Sequence, residues 1–284
     1  MINFFYFKFI YILLYMSETK TFEELFLSQY EEENLKVNHL KILLINNINS
    51  NHLYLLKLKE WQMKNQEYFD YIFFLGNFLS YSENKDKNDI KEISNDEAEI
   101  GGLLSFLENL SLNVIYIGGN NDTPTIFKTP YPTLTLRSKN LHNNFHKLTE
   151  DLYIIGYGGN IVKNKFDNSL ENIFSSFHEY IRENKKIDNF QTILLNNDSS
   201  YDINNLLNNN DNEIYERVVK NKENNIFLNI NGNIKTEKGT KKIKNMTIIN
   251  PGSMCEGEFG ILFLERDINN NNSWKIQKMN YLII

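Results

Sequence analysis

The side chains able to do chemistry in this chain fall in six short polar loops. These are Asn47-Ile48-Asn49-Ser50-Asn51, Gly76-Asn77, Gly119-Asn120-Asn121-Asp122, Asn196-Asn197, Gly232-Asn233-Ile234-Lys235 and Asn250-Pro251-Gly252-Ser253. Their common group is the carboxamide, which donates and accepts hydrogen bonds, carries no charge and does not titrate near neutral pH. Such loops can hold a phosphate through amides, backbone N–H groups and the Lys235 ammonium. They cannot pass a proton as an imidazole or a carboxylate does.

The five histidines, His39, His52, His142, His146 and His178, all lie outside these loops. His52 follows the first loop directly and is the alternative ligand there, although it should begin the next helix and point across the layer. His142 and His146 stand at i and i+4, a spacing that binds zinc on a helix face, but no third ligand accompanies them. These and the remaining two read as surface or half-buried residues. Cys255 is the single cysteine, which excludes an internal disulfide and a thiolate zinc site and fits a reducing, cytoplasmic compartment.

Each loop needs an element to hold it, and the hydropathy pattern supplies one. Apolar runs at 40–45, 71–75, 114–117, 153–156, 192–195, 226–230, 246–249, 260–264 and 274–282 read as strands. Helical spacing joins them through Leu53, Leu56 and Trp61 with Ser50 or Asn51 as cap, through Ile100, Leu103, Leu104 and Leu107, and through Leu170, Ile173, Phe174, Phe177 and Ile181. A polar helix is expected near 205–220. The first strands alternate with helices, the last follow one another, and the polar loops sit at strand carboxyl ends, where α/β proteins build their sites. The expected architecture is α/β, a two-sheet sandwich flanked by helices in four layers, α/β/β/α.

At 284 residues, 41% of them hydrophobic, the chain can bury one sizeable core. Residues 39–284 are expected to form that domain, with a charged surface insertion near 81–96. Residues 1–38 are expected to be an extension. Its first sixteen residues are apolar with one charge, Lys8, and are shorter than the ~20 residues a membrane-spanning helix needs. They read either as a targeting leader or as a start misassigned upstream of Met16, followed by a polar helix around Phe22, Leu25 and Phe26. A membrane role is not expected unless residues 1–15 act as a targeting segment. A net charge of -6 with no long basic run argues against a nucleic-acid partner. Asparagine is the compositional outlier at 46 residues, and its clusters at 208–212 and 269–272 read as loop insertions.

Taken in order, the six loops resemble the strand-end motifs of the calcineurin-like metallophosphoesterases. That family carries Asp-x-His, Gly-Asp, Gly-Asn-His-Asp or Glu, a lone His, and Gly-His-x-His, and its smaller members continue into Asn-Pro-Gly-Ser. The resemblance covers roughly residues 40–264 and is carried best by Gly119-Asn120-Asn121-Asp122, by Ile154-Ile155-Gly156-Tyr157-Gly158-Gly159 and by Asn250-Pro251-Gly252-Ser253. It implies a site where two divalent metals activate a hydroxide for in-line attack on phosphorus.

By that resemblance Asn47 stands at an aspartate ligand, Asn49 at a histidine ligand and Asn77 at the aspartate that bridges both ions. Asn120 keeps the family's own asparagine. Asn121 replaces the histidine that protonates the leaving group, while Asp122, its usual orienting partner, remains. Asn197 and Asn233 replace two further histidines and Lys235 a third. A neutral amide does not bridge two divalent ions, and Lys235 adds a repulsion of about 4 kcal/mol per unit charge at 4 Å and an effective dielectric of 20. No catalytic residue, cofactor or metal is therefore expected, and Asn121 and Asp122 read as a vestigial acid site.

Aspartate and histidine codons each become asparagine codons by one first-position change, so drift accounts for the pattern without new chemistry. The expected function is that of an inactive phosphoesterase fold serving as a scaffold or protein-interaction module, with a protein partner, by analogy with a retromer subunit of this fold. The alternatives are weak or unusual metal-dependent hydrolysis, and metal-free binding of phosphate or nucleotide.

Overall fold

The computed structural model describes residues 37–81, 89–128, 137–159, 169–184, 189–197, 221–232, 238–267 and 273–284. The expected helices before residue 37 and near 205–220, together with Asn233 and Lys235, lie outside the described residues. The elements below all belong to one unit, His39–Ile284.

In chain order they are β1 (His39–Ile45), α1 (His52–Asn65), β2 (Tyr71–Phe74), α2 (Ile90–Leu107), β3 (Val114–Tyr116), β4 (Ser138–Asn140), β5 (Asn144–Lys147), β6 (Leu152–Tyr157), α3 (Ser169–Glu183), β7 (Gln191–Asn196), β8 (Ile226–Asn231), β9 (Gly239–Ile243), β10 (Met246–Asn250), β11 (Glu258–Asp267) and β12 (Ser273–Ile283). The first sheet has the order β12-β11-β1-β2-β3-β4 and the second β5-β6-β7-β8-β10-β9. Both are mixed. β1 to β4 are parallel, as are β6, β7, β8 and β10, while β11, β12, β5 and β9 add antiparallel edges.

Strands buried on both faces explain the unbroken apolar runs of the sequence. In β1, Leu43 and Ile45 pack under α1 and α2, whereas Ile42 and Leu44 enter the layer between the sheets. In β7, Ile193 and Leu195 face that same layer, and Leu194 packs with Leu170, Ile173, Phe174 and Phe177 of α3. Three apolar layers separated by two sheets give the expected α/β/β/α sandwich. No helix among the described residues is long and apolar enough to cross a membrane.

Four local expectations change. In α1, capped as expected by Asn51 accepting from the Leu53 N–H at 3.2 Å, the buried residues are Leu55 and Leu58, and Leu53 and Leu56 are exposed. The helix is apolar on two faces, so spacing alone does not choose between them. The stretch 81–96 is not wholly an insertion, because α2 starts at Ile90, with Asp89 capping the Lys91 N–H at 2.8 Å and Asp96 buried.

His142 and His146 do not share a helix: Asn143 takes a left-handed φ of 53°, and His146 lies in β5, paired with β6. His142 is buried, where a surface or half-buried position was expected. The short strands β4, β5 and β9 were not legible as strands. β9 in particular reads Gly-Thr-Lys-Lys-Ile, a lysine-rich edge of the kind that resists further pairing.

Candidate functional site

Beyond the last paired residues of β1, β2, β3 and β7, the chain continues into the polar loops without losing backbone hydrogen bonds. The Asn47, Asn49 and Ser50 N–H groups donate to Gly76 O (3.1 Å), Asn77 O (3.0 Å) and Phe78 O (2.7 Å). From the other side, the Met254 and Cys255 N–H groups donate to Asn46 O (2.8 Å) and Asn47 O (2.9 Å). This zippering bends the backbone sharply: Asn47, Asn49, Ser50 and Asn77 have φ of 52°, 49°, 57° and 60°. Asparagine is among the few non-glycine residues that visit this left-handed region readily.

Glycine is required where the loops touch. Gly76 has φ +94°, and a Cβ there would lie 2.6 Å from Gly119 N and 2.7 Å from Asn197 Nδ2. A Cβ on Gly119 would meet Asn77 N at 2.2 Å. Two loops from different βα units therefore approach backbone to backbone, and the side chains of Asn47, Asn77, Asp122 and Asn197, with the backbone of Asn121, are held around that contact.

Asn77 is its hub. Its Nδ2 donates to Asn47 Oδ1 at 2.7 Å, its Oδ1 accepts from the Asn121 N–H at 3.1 Å, and its own N–H donates to Asp122 Oδ2 at 3.0 Å. Asp122 is buried and also accepts from the Gly119 N–H (2.7 Å) and the Leu79 N–H (3.1 Å). Burial pushes its carboxyl up to about 6, against the downward pull of these backbone donors.

Asn197 is fully buried, and its Nδ2 donates to Leu75 O. Asn49 and Asn120 are half-buried in the same loops, and Asn49 Nδ2 reaches Cys255 Sγ at 3.4 Å. Of the nine site residues expected from sequence, the structure gathers seven: Asn47, Asn49, Asn77, Asn120, Asn121, Asp122 and Asn197.

Three neighbours escaped the sequence reading. Asn46 is fully buried with Nδ2 toward Gly252 O at 3.4 Å; counting in twos along β1 from Ile42 and Leu44 would have placed it on the inter-sheet face. Cys255, two residues past Ser253, brings Sγ within 3.1 Å of Ser253 Oγ. His142 Nδ1 accepts the Gly158 N–H at 3.0 Å, and its ring lies between Phe127 and Tyr157, with centroids at 4.9 and 5.8 Å. No spacing rule links it to that glycine run.

A pair of divalent ions does not fit these donors. Asn47 and Asn77, which the resemblance sets at a one-metal aspartate ligand and at the bridging aspartate, instead hydrogen-bond to each other as neutral amides, and the Asp122 carboxylate accepts from three backbone N–H groups. Glu258 accepts from the Ser253 N–H and is matched by Lys238 at 2.6 Å. Among the described residues no group of three His, Cys, Asp or Glu side chains could hold a metal.

The family model described as "Metallophosphoesterase, calcineurin superfamily" matches residues 35–272. Among solved structures, the TT1561 protein of Thermus thermophilus superposes with a TM-score of 0.52 at 16% identity, covering 84% of this chain and 98% of that one. A putative 5'-nucleotidase from Staphylococcus aureus, in complex with alpha-ketoglutarate, gives 0.54 at 14% identity, covering 86% of this chain and 54% of that one. No curated protein matches the sequence. These likenesses carry the fold, the family match spans most of the sequence, and the chain belongs to the calcineurin superfamily of metallophosphoesterases.

Proposed function

We propose that this chain is a catalytically inactive metallophosphoesterase that acts as a scaffold or protein-interaction module. The observation that carries the reading is the Asn77 Nδ2 to Asn47 Oδ1 hydrogen bond at 2.7 Å, which joins two neutral side chains where the family's metal-dependent hydrolysis needs anionic metal ligands. Loss of the imidazole at position 121 supports it too, since an amide cannot protonate a leaving alkoxide. The buried layers, by contrast, are kept intact, which supports a role for the surface they display.

The flanks of segment 82–88 are the favoured contact, because Tyr81 and Ile90 are 71% and 83% exposed. Purified protein incubated with manganese should retain less than one metal ion per chain by mass spectrometry and should not hydrolyse an aryl phosphate. Two retained ions with turnover would overturn the inactive reading. Replacing 82–88 by a short Gly-Ser linker, which spares α2, should release a co-purifying partner; retention of the partner would move the contact elsewhere.

A further inference from the structure

In α1, Leu55 and Leu58 enter the core and Gln62 Nε2 donates to Leu110 O at 2.9 Å, which fixes one face of the helix inward. The opposite face carries Leu53, Leu56, Glu60 and Met63, at intervals of three, four and three residues. Its three apolar side chains are 57%, 53% and 70% exposed and form a stripe about 15 Å long at a rise of about 1.5 Å per residue.

That spacing is the a-d-a-d seam of two heptads, the pattern by which one helix packs along another. Lys57 and Lys64 then fall at e positions and Lys59 at a g position, where side chains flank the seam and select its partner by charge. No carboxylate among the described residues pairs with any of the three. Lys57 and Lys59 lie instead over the rings of Tyr54 and Phe106, 4.7 and 5.8 Å from the centroids.

Charge decides what can cover this face. A second copy of α1 would set lysine against lysine along the flanks, which opposes association. A lipid surface would accept the lysines but would have to bury the Glu60 carboxylate, which interrupts the apolar stripe. A helix from another protein satisfies every group if its own seam is apolar, its flanks are acidic and one basic residue meets Glu60 to set the register.

We propose that the outward face of α1 docks an acidic amphipathic helix of a partner protein. The amino end of the seam adjoins the contact favoured above: the Ser80 N–H, one residue before Tyr81, donates to Ser50 Oγ at 3.2 Å, and His52 Nε2 stands 3.9 Å from Glu99 Oε1 of α2. The inference rests on the reading of the chain as an interaction module and does not depend on its inactivity.

Two synthetic helices of about 21 residues, long enough to fold in part alone, test it against the full chain by fluorescence anisotropy. Both carry leucine at a and d with one central lysine at a; one has glutamate and its twin lysine at every e and g. The acidic peptide should bind at least about tenfold more tightly at low salt, and the advantage should shrink in about 0.5 M sodium chloride. The chain's net charge of -6 favours the basic twin, so a preference for the acidic one can arise only from a local patch. Joint Lys57→Glu, Lys59→Glu and Lys64→Glu replacement should reverse the preference. Leu56→Gln with Met63→Gln should weaken the acidic peptide at least about tenfold, and all five positions are exposed, so these changes spare the core.

Equal affinity for the twins, or a preference unchanged by the charge reversal, would overturn the proposal. So would self-association through α1, or sedimentation with phosphatidylserine vesicles, in place of peptide binding. Metal-dependent turnover by a chain that still prefers the acidic peptide would end the inactive reading and support the seam. A co-purifying partner released by replacing 82–88 but retained by the charge-reversed chain would keep the interaction module and refute the seam.

Discussion

Asn77 donates through Nδ2 to Asn47 Oδ1 at 2.7 Å, and with the same side chain's Oδ1 it accepts the Asn121 N–H, so one amide ties together three strand-end loops. Neutrality is what allows the first contact. In the double variant Asn47→Asp/Asn77→Asp two carboxylates would face each other across it, a repulsion of about 4 kcal/mol at 4 Å and an effective dielectric of 20. The variant should unfold at lower urea, by about 2–4 kcal/mol, and manganese should return part of that loss. Manganese should leave the unmodified chain unchanged. Equal stability of the two proteins without metal would show that the amide contact is not formed.

Asp122 gives the loops their other tie, through the backbone N–H groups of Asn77, Leu79 and Gly119. Asp122→Ala strands buried donors, each worth about 1–3 kcal/mol unpaired, so a loss of at least ~3 kcal/mol is expected in urea denaturation. The pH dependence has a definite sign. Folding raises this carboxyl from 3.8 to about 6, so its contribution to stability is full below 3.8 and is lost as pH rises through 6, over a range of about 3 kcal/mol. Asp122→Ala should remove that slope; a variant that keeps it would assign the slope to another group.

How much of this was legible in the sequence follows from what each residue had to satisfy. β1, β2, β7 and α3 declared themselves because burial on fixed faces demands a fixed period, and the loops did because glycine and asparagine are what left-handed backbone tolerates. β9 and β5 did not, being edge strands whose lysines and polar residues answer to solvent and not to a core. Asn47 and Asn77 could be placed in the site by motif order, yet their direct contact could not, since it depends on the loop after β1 running beside the loop after β2, with the Asn47 N–H on Gly76 O and the Asn49 N–H on Asn77 O. Asn46 was hidden for the opposite reason: it lies at the inter-sheet register of β1, where an apolar residue is the rule.

His146 should carry a pH dependence opposite to that of Asp122. Burial, and then the Lys139 ammonium 3.1 Å from Nε2, pulls its imidazole down from 6.5 to about 4. A depressed value means that its contribution is present above 6.5 and is lost as pH falls toward 4. Partial exposure reduces the effect to about 1–2 kcal/mol. Titration followed by the imidazole proton resonance should give a midpoint well below 6.5, and Lys139→Gln should raise it. A midpoint at 6.5 in the unmodified chain would remove the burial argument.

A pair of glycines separates loop contact from helix propensity. Gly76→Ala forces a Cβ into φ +94° and to within 2.6 Å of Gly119 N, a backbone atom that cannot step aside without parting the loops. Left-handed strain alone costs about 1–2 kcal/mol, and with the clash a loss of roughly 3 kcal/mol or more is expected. Gly102 sits inside α2 with nothing within 4 Å of a Cβ, so Gly102→Ala should gain about 0.5–1 kcal/mol from helix propensity. Urea midpoints that moved in the same direction for both variants would mean that the approach of the Gly76 and Gly119 loops is looser than their hydrogen bonds require. Opposite shifts of these sizes would establish that approach as the element holding Asn47, Asn77 and Asn197 together.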